Sequence, residues 1–273
     1  VPNEDWTTGV DTTIPNVARI YDYQLGGSHN FEADRMAAKW MNDSSPNVRP
    51  SMRENRHFLR RVVHYLVGQG VRQFLDIGSG LPTRGNVHEL APQANIVYVD
   101  NDPVVMTHMR ALVAYSTDRV RAVQQDVRRP QELLSDPTVR MFLDWENSPV
   151  AVLMLGLLHF VHDSDGPADI IGTFRDALPP GSYLAISHGT ATGYQSALAD
   201  QRRLFNRVKT VYARATSPTS LRDQDQVTQF FAGFDLVDPG VVFVPEWRPD
   251  GVAEDIPPAQ TGLYGGVGKL QQK

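Results

Sequence analysis

Five short apolar runs separated by amphipathic segments constrain the fold of this chain more than any other feature. The runs are VRQFLDI (71–77), NIVYVD (95–100), VRAVQQD (120–126), VAVLMLGLL (150–158) and SYLAISHG (182–189). Short runs alternating with helical segments describe parallel strands with helices on both faces of one sheet. The helices carry their own punctuation. Asp102 and Pro103 fit the N-cap and first position of one, Pro130 opens another, and ADIIGTFRDAL runs into the stop signal PPG. YQSALADQRRLFNRVKTVYARA (194–215) places Leu198, Phe205, Val208 and Tyr212 at helical spacing. FDLVDPGVVFVPEW and LYGGVGKL add two strand-like runs. The expected fold is α/β, a seven-stranded, mostly parallel sheet with an antiparallel edge strand.

A chain of 273 residues can fold as one such unit with additions. Residues 1–13 read as a loose tail, 14–70 as an N-terminal helical cap or lid, and 71–273 as the sheet domain. Within the cap, Ser51 and Glu54 have capping-box spacing, and Gly68 or Gly70 ends the helix that follows.

The first strand runs into FLDIGSGLPT (74–83). Gly78 and Gly80 permit a tight turn and a close approach of backbone to ligand. A dinucleotide diphosphate favours a third glycine and no nearby anion. Here Thr83 stands at the third position and Asp76 directs a carboxylate at the loop. That charge repels a diphosphate and attracts a ligand bearing an ammonium and a sulfonium, as S-adenosylmethionine does. Asp100, ending the second strand, fits an acceptor for both ribose hydroxyls. Asp126, ending the third, fits an acceptor for the adenine amine, with the Val127 N–H donating to the ring. Each acid alone would also serve as a helix N-cap; three at successive strand ends are the more specific pattern.

DIGSG, VYVDNDP, QQD, LPPG and the terminal strand pair resemble the class I S-adenosylmethionine-dependent methyltransferases, whose fold is Rossmann-like. More closely, IPNVARIYDYQLGGSHNFEADRMAA, FLDIGSGLPT and YVDNDPVV resemble a bacterial S-adenosyl methyltransferase family once catalogued as a domain of unknown function. The resemblance covers roughly residues 14–270. It implies the fold, S-adenosyl-L-methionine as cofactor with S-adenosyl-L-homocysteine as product, and methyl transfer. The acceptor is left open.

The candidate cofactor-binding set is Asp76, Gly78, Ser79, Gly80, Thr83, Asp100, Asn101, Asp126, Val127 and Gly156, with Tyr23, Gly27 and Arg53 from the cap. In ARIYDYQLGGSHNFEADR the aromatic residues either fold over the cofactor, where their faces suit a sulfonium methyl, or pack as core. Arg53, with Asn55 beside it, is a candidate for binding a carboxylate. After the fourth strand, His159, His162 and Asp163 allow a metal reading, but one short loop rarely converges three ligands, and no metal is expected. A base is the better reading, with His159 the first candidate and His188 the second.

A net charge of -5 provides no field to collect nucleic acid or anionic membrane, so the expected partner is a small-molecule methyl acceptor. The chain lacks cysteine, a membrane-length apolar run and the pattern of a signal peptide, which together read as a cytoplasmic protein. Transfer to oxygen or nitrogen is the expected activity. The alternatives are a sensor that binds the cofactor without turnover and, disfavoured by Asp76, a nicotinamide-dependent oxidoreductase.

Overall fold

All five apolar runs form strands in the computed structural model, which describes residues 11–82, 85–115, 118–192 and 219–271. Three helices come first: α1 (Val17–Gln24), α2 (Glu32–Ser44) and α3 (Val48–Gly68). The alternating part then runs through β1 (Gln73–Ile77), α4 (Val87–Leu90), β2 (Asn95–Asp100), α5 (Pro103–Tyr115), β3 (Val120–Gln124), α6 (Pro130–Ser135), α7 (Pro137–Phe142), β4 (Ala151–Leu155), α8 (Pro167–Ala177) and β5 (Tyr183–Gly189). The described C-terminal elements are α9 (Gln224–Gln229), β6 (Phe234–Leu236), β7 (Val242–Phe243) and β8 (Leu263–Leu270). The helix expected over 194–215 lies outside the described residues.

The strand order is β3-β2-β1-β4-β5-β8-β6, with β7 also paired to β8. β1 to β5 are parallel, and β8 introduces antiparallel pairing on one side of the sheet. Among the described residues the sheet has eight strands instead of the expected seven because FDLVDPGVVFVPEW divides into two. At the division Pro239 lacks an N–H and Gly240 has φ 85°, so the run cannot continue as one ladder.

Period-two alternation separates two cores. Leu75, Ile77, Val97, Val152 and Met154 pack with Ile170 and Phe174 of α8 and Val227 of α9. Phe74, Ile96, Tyr98, Ala151 and Leu153 pack with Phe58, Val62 and Leu66 of α3. Asp76 lies two residues after Phe74 and therefore faces α3. This register brings a cap helix over the glycine loop.

α3 begins at Val48, three residues before the expected start. Pro50 falls in its first turn, where the missing N–H has no helical partner to lose. Ser51 is consequently inside the helix, its hydroxyl donating to the Asn47 carbonyl at 2.6 Å. Glu54 is buried and accepts from the Glu254 N–H, so the expected capping box does not form.

The other cap helices dock through polar pairs and a small core of Ile20, Ala38, Met41 and Met52. Arg19 and Asp34, both buried, pair at 2.8 Å. Asn16 caps α1, its Oδ1 accepting from Ala18 N at 2.8 Å, while its Nδ2 donates to Asp102. Asp102 in turn caps α5, accepting from Val104 N at 2.7 Å. Asn16→Ala removes both attachments and is expected to destabilise α1 by about 1–2 kcal/mol. Faster hydrogen exchange at residues 17–24, with α8 amides unchanged, is the measurement that checks it.

Candidate active site

A cavity of about 600 Å³ opens beyond the carboxyl ends of the parallel strands. It lies where the strand order reverses between β1 and β4, the usual ligand position in an open α/β sheet. One side is built by the glycine loop and the turns after β2 and β3. The other is built by α1, α2, α3 and the loops after β4 and β5.

On the first side, Asp76, Gly78, Ser79, Gly80, Asp100, Asn101, Asp126 and Val127 all contribute to the wall. Burial pushes the Asp76 carboxyl up to about 7; Arg56 opposes the shift and Asp100 adds to it. Asp76 thus needs a cation beside it to be fully ionised at neutral pH. Burial also raises Asp100, to about 6, against the pull of backbone donors. Its two oxygens accept one N–H each, from Gly80 at 2.9 Å and from Asp102 at 3.0 Å. Lone pairs remain on both oxygens for a further donor pair.

Asp126 differs. Burial works against its charge, but Arg128 outweighs it and holds the carboxyl below its usual range. The Arg128 Nε lies 3.0 Å from each carboxylate oxygen. Gly80, at φ 66°, has no atom within 4 Å of the position a Cβ would take. The space in front of it is a cradle that a side chain would fill. An acidic, backbone-lined cradle fits a cationic nucleoside donor.

Gly156 completes this side after β4. Its N–H donates to Ser187 Oγ at 2.8 Å, Ser187 donates to Asn55 Oδ1 at 2.6 Å, and Asn55 Nδ2 donates to Tyr21 Oη at 3.2 Å. Tyr21 donates its proton to the Met52 carbonyl at 3.1 Å. This chain of bonds fixes the orientation of the Asn55 amide and joins the sheet to α3 and α1.

Three cap residues expected at the cofactor do not line the cavity. Tyr23 lies two positions from Tyr21, on the opposite side of α1, and stacks under Arg49. Tyr21 is the inward tyrosine. Gly27 instead receives the Asp22 carboxylate, whose Oδ1 would sit 1.9 Å from a Cβ at that position. Arg53 is 47% exposed and pairs with Glu254. Arg56, one helical turn later, faces the cavity and donates to Gly85 O at 3.0 Å. The arginine stripe is readable from the sequence, but only the packing of α3 on the sheet shows that Arg56 is the member that points inward. Thr83 lies outside the described residues.

The histidines also differ from expectation. His159 lines the cavity, but its Nδ1 accepts from Gly189 N at 3.2 Å. The proton of the neutral ring is therefore on Nε2. Burial, with His188 and Arg222 nearby, lowers its pKa to about 3. His188 is buried outside the lining; its Nδ1 donates to Gly189 O and its Nε2 accepts from Arg222, each at 2.8 Å. Burial lowers it to about 4. Each ring has its lone pair occupied by an N–H, the reverse of what a general base requires. His162 contacts Ser220 and Asp163 pairs with Arg222, so His159, His162 and Asp163 face three different partners. Among the described residues no helix is long and apolar enough to cross a membrane.

Comparisons with known proteins bear on the family and the fold. A protein from Thermobifida fusca YX described as a candidate methyltransferase is 37% identical, with 97% of this chain and 98% of that one covered and a TM-score of 0.86. A DUF574 family protein from Streptomyces avermitilis MA-4680 is 39% identical, with 96% and 99% covered and a TM-score of 0.88. The N-methyltransferase NodS from Bradyrhizobium japonicum WM9, solved with S-adenosyl-L-homocysteine, shares the fold at 15% identity, with 82% and 89% covered and a TM-score of 0.50. The comparison with curated proteins gives no match. The family described as S-adenosyl methyltransferase matches residues 3–271, nearly the whole length, and the chain belongs to that family.

Proposed function

We propose that this protein transfers the methyl group of S-adenosylmethionine to an oxygen or nitrogen of a small molecule. The open cradle before Gly80, flanked by Asp76 and Asp100, is the observation that carries this reading. When bound, the sulfonium donor supplies an electrophilic methyl group whose leaving group is a neutral thioether.

The chain's own residues divide the task. Asp100 offers lone pairs to the ribose hydroxyls, and Asp126 with the Val127 N–H serves the adenine. Asp76 balances the donor's positive charge, and Arg56 of α3, which also holds Gly85 O and Asn86 Oδ1, is the cation assigned to its carboxylate. Gly78, Ser79, Asn101 and Gly156 supply close backbone and polar walls. His159 enters as a neutral ring with its proton on Nε2. The cap helices hold the acceptor against the donor, and such orientation contributes on the order of 7–11 kcal/mol to a barrier without any proton transfer.

Asp100→Ala is expected to weaken donor binding by about 2 kcal/mol, because the hydroxyl pair loses a charged acceptor. Titration calorimetry with S-adenosylmethionine and S-adenosylhomocysteine checks this. An unchanged dissociation constant removes Asp100 from the site, and no binding by the parent protein removes the proposal.

A further inference from the structure

Two neutral N–H donors border the shelf that Gly156 forms at the end of β4. A Cβ added to Gly156 would meet Asn55 Nδ2 at 3.3 Å and His159 Cε1 at 4.0 Å, so both side chains reach one small space in the cavity wall. Leu157, the next residue, packs on the glycine loop, its Cδ1 lying 2.7 Å from the Cβ position of Gly78. A group held on the shelf therefore lies beside the loop assigned to the donor.

Each N–H is aimed by a bond on the far side of its own group. Ser187 donates to Asn55 Oδ1 at 2.6 Å, which makes the other end of the amide the NH2. One of its hydrogens goes to Tyr21 Oη at 3.2 Å, and the second is left for a ligand. The Gly189 N–H occupies His159 Nδ1 at 3.2 Å, so the ring carries its proton on Nε2, and no described residue accepts it. Burial, with His188 and Arg222 nearby, holds His159 at about 3, so the ring stays a neutral donor at any pH used below.

The charged groups around the shelf come from three elements. Arg56 of α3 lines the same cavity, and the charge of Arg222 is felt by the His159 ring from behind. Asp22 of α1 turns its carboxylate to the loop after that helix, Oδ1 against Gly27 and Oδ2 accepting from His29 N and Asn30 Nδ2 at 2.9 Å each. Convergent N–H groups fixed in advance favour negative charge on an oxygen placed between them.

From this arrangement we infer that the shelf is an oxyanion site and that the acceptor is an acidic hydroxyl, a phenol or an enol, bound as its anion and methylated on oxygen. The assignment rests on the methyltransferase reading and narrows it. The hydroxyl proton leaves to water before the transfer. Two lone pairs of the oxyanion accept from Asn55 and His159, and the third forms the bond to the methyl carbon. The carbon–sulfur bond breaks with its electron pair staying on sulfur. The charges on oxygen and sulfur vanish together, leaving a neutral ether and a neutral thioether.

4-Nitrophenol, whose ionisation shows in its absorption spectrum, is the probe, and 4-nitroaniline is the control of matched shape. Each is titrated into protein saturated with S-adenosylhomocysteine between about pH 5 and 9, and each is then offered to protein with labelled S-adenosylmethionine. Bound 4-nitrophenol is expected to ionise about one pH unit lower than in water, a tenfold gain. Asn55→Asp keeps the shape and replaces the donor by an acceptor, and His159→Leu removes the other donor; each is expected to abolish the shift. His159→Gln restores an N–H and is expected to recover part of it, which a purely structural role would not produce. Retained binding of S-adenosylhomocysteine identifies the variants that are folded, and either substitution decides if the other is not. Label is expected on the phenol and not on the aniline. An ionisation unshifted or raised on binding, a shift that survives in a folded variant lacking a donor, no binding of 4-nitrophenol, a phenol left unlabelled, or an aniline labelled as fast overturns the inference. Titration of S-adenosylhomocysteine by itself separates the two levels. If the product cofactor binds while the phenol fails, the oxyanion assignment falls and the donor site stands; if it does not bind, the donor site falls first.

Discussion

Asp76→Asn is expected to raise the melting temperature of the free protein while weakening its affinity for S-adenosylmethionine by about 100-fold. The two effects share one cause. The folded protein raises the Asp76 carboxyl from 3.8 to about 7, mainly by burial. A group whose folded value lies above its unfolded value contributes stability that is complete below the unfolded value and disappears as pH rises through the folded one. Above about pH 7 the free wild-type protein carries a buried, poorly solvated charge. Asparagine removes it, for a gain on the order of 2–4 kcal/mol, or several degrees in melting temperature. On the proposed reading the donor needs that same charge, and losing it is expected to cost about 3 kcal/mol of binding. Wild-type donor affinity should therefore increase as pH rises through about 7 and then level off, whereas the variant's affinity stays flat across that window. Thermal melts and calorimetry at several pH values provide the check. A variant that melts lower at pH 8 and binds the donor normally would place Asp76 in the scaffold.

Arg222→Met is expected to destabilise the fold more than any other substitution proposed for this protein, by about 3–5 kcal/mol. Arg222 is only 5% exposed. Its guanidinium donates to Leu158 O at 3.1 Å, to Val161 O at 3.0 Å and to His188 Nε2 at 2.8 Å, and it pairs with Asp163. Methionine fills much of the space but removes the donor to Val161 O and the second donor to Leu158 O, which keeps the Val161 N–H. The loop they hold carries His159 and Phe160 into the cavity wall. Urea unfolding measures the loss, and imidazole NMR supplies a second readout. With its Nε2 released, His188 should titrate well above its folded value of about 4. A stability change below about 1 kcal/mol together with an unaltered imidazole would mean that the loop is held by other contacts.

The strands are readable in the sequence because a strand buried on both faces leaves a nearly unbroken apolar run, and β2 matches its run from Asn95 to Asp100. The acids are readable because strand ends in this topology point at one crevice. What escapes depends on which face of a helix turns inward. Tyr21 rather than Tyr23, and Arg56 rather than Arg53, meet the cavity because of the angle at which each helix packs on its neighbours. The histidines show a different limit. Their spacing places one of them correctly, but only hydrogen-bond direction reveals that both lone pairs are engaged. Ser187 carries no signal at all; its importance comes from pairing with Asn55, 132 positions away in sequence.

The bond from Asn16 to Asp102 gives one carboxylate a place in two helices, one above the crevice and one that follows β2. The layer of leading helices is thus not an interchangeable module laid on a finished sheet. Any evolutionary exchange of the leading helices for a different set, to suit a new acceptor, would have to preserve that asparagine or supply another partner, or else the donor half would be loosened by a change made on the opposite wall.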